Sequence, residues 1–427
     1  MTKKIKVLID TDHILSPSGV ATTTKMVAEA LLKSGKFCIR QLGGALKHSN
    51  YNVVKTQEYG EDLIIFPVDG YGSPDIVRSI IRTERPDIFL IVSDPRFWVW
   101  LFNIEDEFRP LMPLVYWHLW DHADKQTMPT FNLPYYRSCD HIALINKLSN
   151  NIIDTICPEI SHEYLPHTVN TDIFQPFPKE RVMQFRKDTF KNAVGETAEF
   201  NKFIFFYNGR NARRKQTGSM IFWFCEFLDI VGRDKATLLM HTDPKDPNGQ
   251  DLEAIIQHLD LVHGEVLFSR DKIAQEGLAL INNMVDCAIN LSDAEGFGCP
   301  IAEALACGTP AIITMTGGLQ DQITDGTNYF GVGIKPVSRA VIGSQDIPWI
   351  LEDRLSKEDV VNAMLKMYNM TSEEREKLGR LGRENVMKNF NFEKHNQRWI
   401  NLMLEVYEKY GSWETRKGYK NWEIKAL

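Results

Sequence analysis

The sequence predicts an α/β protein built from two doubly wound domains. Three observations carry that reading. Short apolar runs bounded by Gly, Pro and Asp alternate with stretches of helical spacing, the pattern of parallel sheets covered by helices. The alternation begins again after a turn-rich crossing at 166–176 with prolines at both ends. The length of 427 residues is also more than one core of ordinary size holds.

Taken in order, residues 5–10 read as a first strand. A polar loop with Ser16-Pro17-Ser18-Gly19 follows, then a helix over 20–32. Strand, Gly-containing loop and helix open a nucleotide-binding-like half-domain. Further strands are predicted at 63–68, 88–92, 113–117, 141–145 and 163–166, with a helix at 74–82. The loop His118-Leu119-Trp120-Asp121-His122 leaves the 113–117 strand. After the crossing, 203–207 is strand-like and Asn208 to Gly218 is a basic loop entering a helix that runs to about Asp229. Strands at 237–241, 266–268, 285–291 and 311–314 alternate with helices at 251–258 and 272–282. Residues 331–354 have weak periodicity and read as an insertion, and 358–410 is helix-rich. The tail over 411–427 carries Trp413, Tyr419 and Trp422 among charges.

Composition narrows the class. With 43% hydrophobic and 25% charged residues, the chain reads as a soluble globular enzyme. A net charge of −7 argues against a broad nucleic-acid surface. Seven cysteines lie scattered without metal-ligand spacing, which predicts reduced thiols and a cytosolic setting. The first ten residues do not read as a secretion signal, and no apolar run is long enough to span a bilayer. Peripheral membrane contact stays open.

The stretch Ser292 to Pro310 carries the densest chemistry. A buried strand leads into a loop with Gly296 and Gly298. Pro300 suits a helix start, Gly308 suits its stop, and a second strand begins at Pro310. The free N-terminus of such a helix attracts phosphate. Glu295 in the loop and Glu303 in the helix are what a plain phosphate loop lacks. Carboxylates repel phosphate, so these two suit sugar hydroxyls. In the basic loop, Arg210 and Lys215 are placed to converge on a diphosphate, Arg with forked bonds and Lys as a compact charge. His118 follows a strand and is expected at the carboxyl edge of the first sheet, where ligand clefts form, with Asp121 and His122 as competitors. Asp10-Thr11-Asp12 has the spacing of a metal clasp but ends the first strand, and reads as loop chemistry. The aromatics Trp98, Trp100, Tyr116, Trp117 and Trp120 read as core before they read as sugar platforms.

Glu295-Gly296-Phe297-Gly298, Glu303-Ala304-Leu305-Ala306 and Gly308-Thr309-Pro310 together resemble the Glu-x7-Glu signature of family-four retaining glycosyltransferases with the GT-B fold. Gly209-Arg210…Lys215-Gln216-Thr217-Gly218 resembles the family's diphosphate element, two residues looser than usual, so that Arg213 or Arg214 can share the diphosphate role. The crossing resembles its hinge, with His167-Thr168 in place of Asn-Gly. The resemblance is densest over 202–323.

It implies two facing Rossmann-like domains with a cleft between them, an acceptor-side domain at 1–170 and a nucleotide-sugar domain at 171–391, with the last helices, about 392–427, crossing back to the first. It implies a hexose transfer from a nucleotide diphosphate sugar to a glycan, lipid or small-molecule hydroxyl, with retention. UDP and GDP donors stay open, and no cofactor or metal is expected. It implies Glu303 on the ribose, Glu295 on the hexose, Arg210 and Lys215 on the diphosphate, and His118 at the sugar. Gly19, beside Ser18, stands where the family's glycine loop covers the donor, and Gly296, Phe297, Gly298 and the 316–318 turn complete the donor surface. Front-face attack is the implied route, with double displacement through a protein nucleophile as the other retaining course. A same-fold epimerase or hydrolase, or a non-catalytic sugar-nucleotide-binding subunit, are the alternatives.

Overall fold

A computed structural model describes residues 3–16, 18–121, 126–194, 202–345 and 347–419. The chain divides into two compact units: Met1–His167 with Gly343–Trp349 and Glu393–Leu427, and Thr168–Ile342 with Ile350–Phe392.

The first unit is built on an eight-stranded sheet in the order Val54–Lys55, Leu63–Pro67, Phe37–Gly44, Ile5–Asp12, Ile88–Ser93, Leu114–His118, His141–Leu144, His162–Tyr164. All neighbours are parallel except the short first strand. Chain order reverses between Ile5–Asp12 and Ile88–Ser93, so the loop after the first strand opens at a topological switch point. The strand Phe37–Gly44 is absent from the sequence reading. Arg40 and Gln41 interrupt its apolar pattern, yet both are buried. Arg40 pairs with Glu84 at 2.5 Å, and the Gln41 amide donates to the Asp12 carbonyl at 2.8 Å. Partners supplied from distant sequence make those polar side chains compatible with a core strand.

The helix Phe392–Tyr410 supplies this unit with Trp399, fully buried, whose ring meets Trp117 edge-on at 4.7 Å. Arg398 forks onto Glu163 with two bonds of 2.8 Å. Trp98, Tyr116, Trp117 and Trp120 are all buried, so these aromatics are core.

The second unit has a six-stranded parallel sheet in the order Val266–Ser269, Ala236–His241, Phe203–Asn208, Cys287–Asn290, Ala311–Thr314, Val332–Ile334. Phe203–Asn208 shows how two faces are served by alternation. Phe203, Phe205 and Tyr207 pack with Phe224 and Phe227 of the helix Thr217–Val231, while Ile204 and Phe206 face Phe190, Ile281 and Met284 on the other side. The switch point falls between Phe203–Asn208 and Cys287–Asn290, the strands that lead into the basic loop and the Glu-x7-Glu loop.

The weakly periodic insertion resolves into the edge strand Val332–Ile334 and an antiparallel hairpin, Ser338–Ile342 with Ile350–Arg354. Among the described residues, no helix is long and apolar enough to cross a membrane. All seven cysteines are free thiols.

Candidate active site

In the second unit the two loops at the switch point are laced together. The basic loop makes a short turn at Arg213–Lys215, and Gln216 takes a left-handed conformation (φ 55°) before the helix Thr217–Val231. The Asp293 amide donates to the Arg214 carbonyl at 2.7 Å. The Arg214 guanidinium donates to the Ala294 carbonyl at 2.5 Å and lies 3.8 Å from Glu295. The Lys215 ammonium donates directly to the Glu295 carboxylate, both side chains being largely buried.

Burial alone would raise the Glu295 carboxyl. Lys215 and Arg214 beside it, with hydrogen bonds from Lys215 and Asn290, instead hold it below the usual glutamate value. Asp293, also buried, accepts from the Gln216 amide at 2.6 Å and pairs with Arg354 at 2.9 Å, and burial still lifts its carboxyl to about 6.

Arg210 does not join this cluster. Its guanidinium turns to Asp246 (2.5 and 3.2 Å) and holds that carboxyl down at about 2, while its own side chain is 64% exposed. The expected convergence of Arg210 and Lys215 is therefore not the arrangement present. Each cation is drawn to its own carboxylate, because Asp246 and Glu295 lie on different loops.

The signature helix is Cys299–Ala306, one residue longer at its start than Pro300 suggests. Gly298 precedes it at φ 87°, a left-handed conformation that glycine adopts freely. Gly318 comes so close to Gly296 that a Cβ there would sit 2.2 Å from the Gly296 carbonyl oxygen, and its amide donates to the Glu295 carbonyl at 3.0 Å. The 316–318 turn thus braces the Glu295 loop with its main chain. Phe297 is 2% exposed and meets Phe390 edge-on at 5.2 Å. Its ring belongs to the core, so only its backbone can face a ligand.

The Glu303 carboxylate makes no hydrogen bond or ion pair among the described residues. Although its side chain is partly exposed, its carboxyl is poorly solvated, and burial pushes it up to about 7. It is an acceptor without a protein donor, which is what a ligand-hydroxyl site needs.

In the first unit, Ser18 caps the helix Gly19–Lys33, accepting from the Ala21 amide at 2.9 Å and donating to Asp12 at 2.5 Å. The other Asp12 oxygen accepts from the Tyr71 hydroxyl at 2.7 Å. A Cβ on Gly19 would meet nothing within 4 Å, so the helix start presents open space. Asp10 is wholly buried with neither oxygen hydrogen-bonded, and burial raises it well above the usual aspartate value.

His118 ends its strand as expected, but its ring is fully buried rather than open at the sheet edge. It stands perpendicular to Tyr136 and parallel to Trp120, with Nε2 3.2 Å from the Tyr136 hydroxyl and Nδ1 unpartnered. Burial pulls its pKa down to about 3, so the imidazole is neutral at ordinary pH. Asp121 lies at the end of the described stretch, and His122 lies outside the described residues. Among the described residues, no group of three or more His, Cys, Asp or Glu side chains is arranged to hold a metal ion.

The sequence reading missed the hairpin residues Glu352 and Arg354, which touch this cluster. Only their opposite charges within a weakly patterned insertion pointed to them.

Residues 228–384 match the model of the family described as Glycosyl transferases group 1. No curated protein matches. Among solved structures, the chain is similar to sucrose-phosphate synthase from Thermosynechococcus elongatus, at 16% identity and a TM-score of 0.73, covering 95% of this chain and 100% of that one. It is similar to Anabaena HepE in complex with UDP and glucose, at 14% identity and 0.67, covering 94% and 100%. It is also similar to the catalytic domain of Arabidopsis thaliana starch synthase IV bound to ADP and acarbose, at 12% and 0.64, covering 95% and 100%. The fold is GT-B, with two Rossmann-like domains. The family match supports glycosyl transfer as the activity class.

Proposed function

We propose, proceeding from that family match, that the chain transfers a hexose from a nucleoside diphosphate sugar to a hydroxyl of a glycan, lipid or small molecule, with retention and without a metal. The observation that carries the reading is the meeting of Lys215 and Arg214 with Glu295 at the switch point of the second sheet, with Glu303, its carboxylate unpartnered, on the helix that follows that loop. Bound UDP in HepE and ADP in starch synthase IV support a nucleoside diphosphate donor.

In this reading the β-phosphate draws on Lys215 and the main chain around Gly296 and Gly298, which neutralise charge as the glycosidic bond breaks. Glu303 takes ribose hydroxyls. Glu295, kept ionised by its cations, takes a hexose hydroxyl. Arg210 sits farther out and reaches the diphosphate only by leaving Asp246. His118, neutral, offers a hydrogen bond to the sugar once Tyr136 and Trp120 make room, and does not act as a general base. The leaving phosphate accepts the proton of the incoming hydroxyl. The setting is cytosolic, with peripheral membrane contact admitted by lipid acceptors.

The test is a thermal-shift screen of UDP-, GDP- and ADP-sugars, followed by product analysis with candidate acceptors. A ligand that binds only the folded state raises the melting temperature by mass action. One nucleotide sugar should stabilise the protein and yield a glycosylated product of retained configuration. No stabilisation by any of them would remove the donor assignment.

A further inference from the structure

The hairpin Ser338–Ile342 and Ile350–Arg354 lies in the stretch whose sequence is weakly periodic, and its second strand reaches the laced loops directly. Glu352, 4% exposed, takes a two-pronged bond from the Arg213 guanidinium at 2.6 and 2.8 Å. Arg354 bridges Glu352 at 2.9 Å and Asp293 at 2.9 Å. The Asp353 amide donates to the Asp293 carbonyl at 2.9 Å, and its carboxylate accepts from Arg339 at 3.1 Å. Arg213 sits in the same short turn as Lys215, and Asp293 stands two residues before Glu295. The hairpin therefore holds one residue from each loop. Glu352 is buried while the Arg213 side chain is half exposed, and a forked pair fixes direction as well as distance.

We propose that Glu352 and Arg354 are positioning residues that set the basic loop against the Glu-x7-Glu loop and thereby fix Lys215 relative to Glu295. The proposal rests on the reading that these loops hold the donor diphosphate. A second consequence is that Arg213 is committed to the hairpin and is not a phosphate ligand.

The experiment titrates UDP, GDP and ADP calorimetrically into the parent protein and into Glu352→Gln, Arg354→Met, Arg354→Lys and Lys215→Ala, with melting temperatures measured alongside. Using whichever nucleotide the parent binds, Glu352→Gln and Arg354→Met should each bind about tenfold more weakly. Arg354→Lys should recover part of the loss, and donor KM should rise more than kcat falls. Because Arg354→Met removes the bridge without touching the Arg213 pair, it keeps the test alive if Glu352→Gln folds poorly. Affinity within twofold of parent in both Glu352→Gln and Arg354→Met, while Lys215→Ala weakens binding, would overturn the positioning role and leave the donor site standing. Tighter binding in Glu352→Gln would overturn it too, by showing that Glu352 merely competes with phosphate for Arg213. Unchanged affinity in Lys215→Ala, or no binding by the parent, would overturn the donor-site reading itself and the positioning role with it.

Discussion

The Lys215 ammonium rests on the Glu295 carboxylate, closing the basic loop onto the Glu-x7-Glu loop across 80 residues of sequence. A buried pair of this kind is costly to break from one side, since the remaining charge is left without a partner. In the proposed donor complex a diphosphate would offer Lys215 a second anion without leaving Glu295 alone, because Arg214 lies 3.8 Å from Glu295.

Lys215→Ala should therefore slow turnover by about 2–4 kcal/mol in the barrier, the range for losing one donor to a developing anion. Arg210→Ala should cost less, under about 1 kcal/mol, because its guanidinium forms an exposed pair with Asp246. Steady-state kinetics with the donor identified by thermal shift gives both numbers. Equal losses would mean that Arg210 leaves Asp246 for the ligand and that this ranking is wrong.

The two glutamates should separate in binding. Glu303→Gln should weaken both the nucleoside diphosphate and the sugar nucleotide, by about tenfold for one hydrogen bond to a charged group. Glu295→Gln should keep nucleoside diphosphate affinity, since it frees Lys215, but impair the sugar-dependent step. Calorimetry with both ligands on both variants decides. Loss of both ligands in Glu295→Gln together with loss of neither in Glu303→Gln sinks the assignment.

Glu303 also predicts a pH effect on stability without any ligand. Its folded pKa, about 7, lies above the unfolded value of 4.5. Its contribution is therefore fully present below pH 4.5 and is lost as pH rises through 7. Glu303→Gln removes that loss, so the variant should gain on the parent between about pH 4.5 and pH 7 and hold that gain at higher pH. Partial exposure limits the gain to on the order of 2 kcal/mol. Thermal melts of both proteins across pH 5–9 measure it, and parallel curves would show that Glu303 is well solvated. Glu295 has the opposite sign. Its pKa is depressed, so its contribution is present above pH 4.5 and lost on acidification.

Metal independence is the fourth expectation, motivated by Asp12. Its two oxygens already accept from Ser18 and Tyr71, which leaves Asp10-Thr11-Asp12 a poor clasp. Activity should persist in excess chelator after dialysis. Complete loss, restored by magnesium or manganese, would return attention to Asp10 and Asp12.

Much of the fold and the core of the site were legible in the chain. The short apolar runs and the turn residues that bound them sufficed for most strands. Gly298, Pro300 and Gly308 marked the signature helix to within one residue, because backbone conformation at such positions depends on the residue itself. Glu295, Glu303 and Lys215 could be singled out by charge type and spacing for the same local reason.

What the sequence by itself determined was thus the α/β class and which charged groups stand on which loop. Only the tertiary structure decided who pairs with whom. Lys215 and Glu295, Arg210 and Asp246, and Arg213 and Glu352 are separated by 80, 36 and 139 residues, and each cation had several carboxylates open to it. The choice among them is made by strand order, which brings some loops to one switch point and leaves others apart. The same holds for His118. A strand-end histidine looks accessible in sequence, and only the packing of Tyr136 and Trp120 around it makes it a buried, neutral ring.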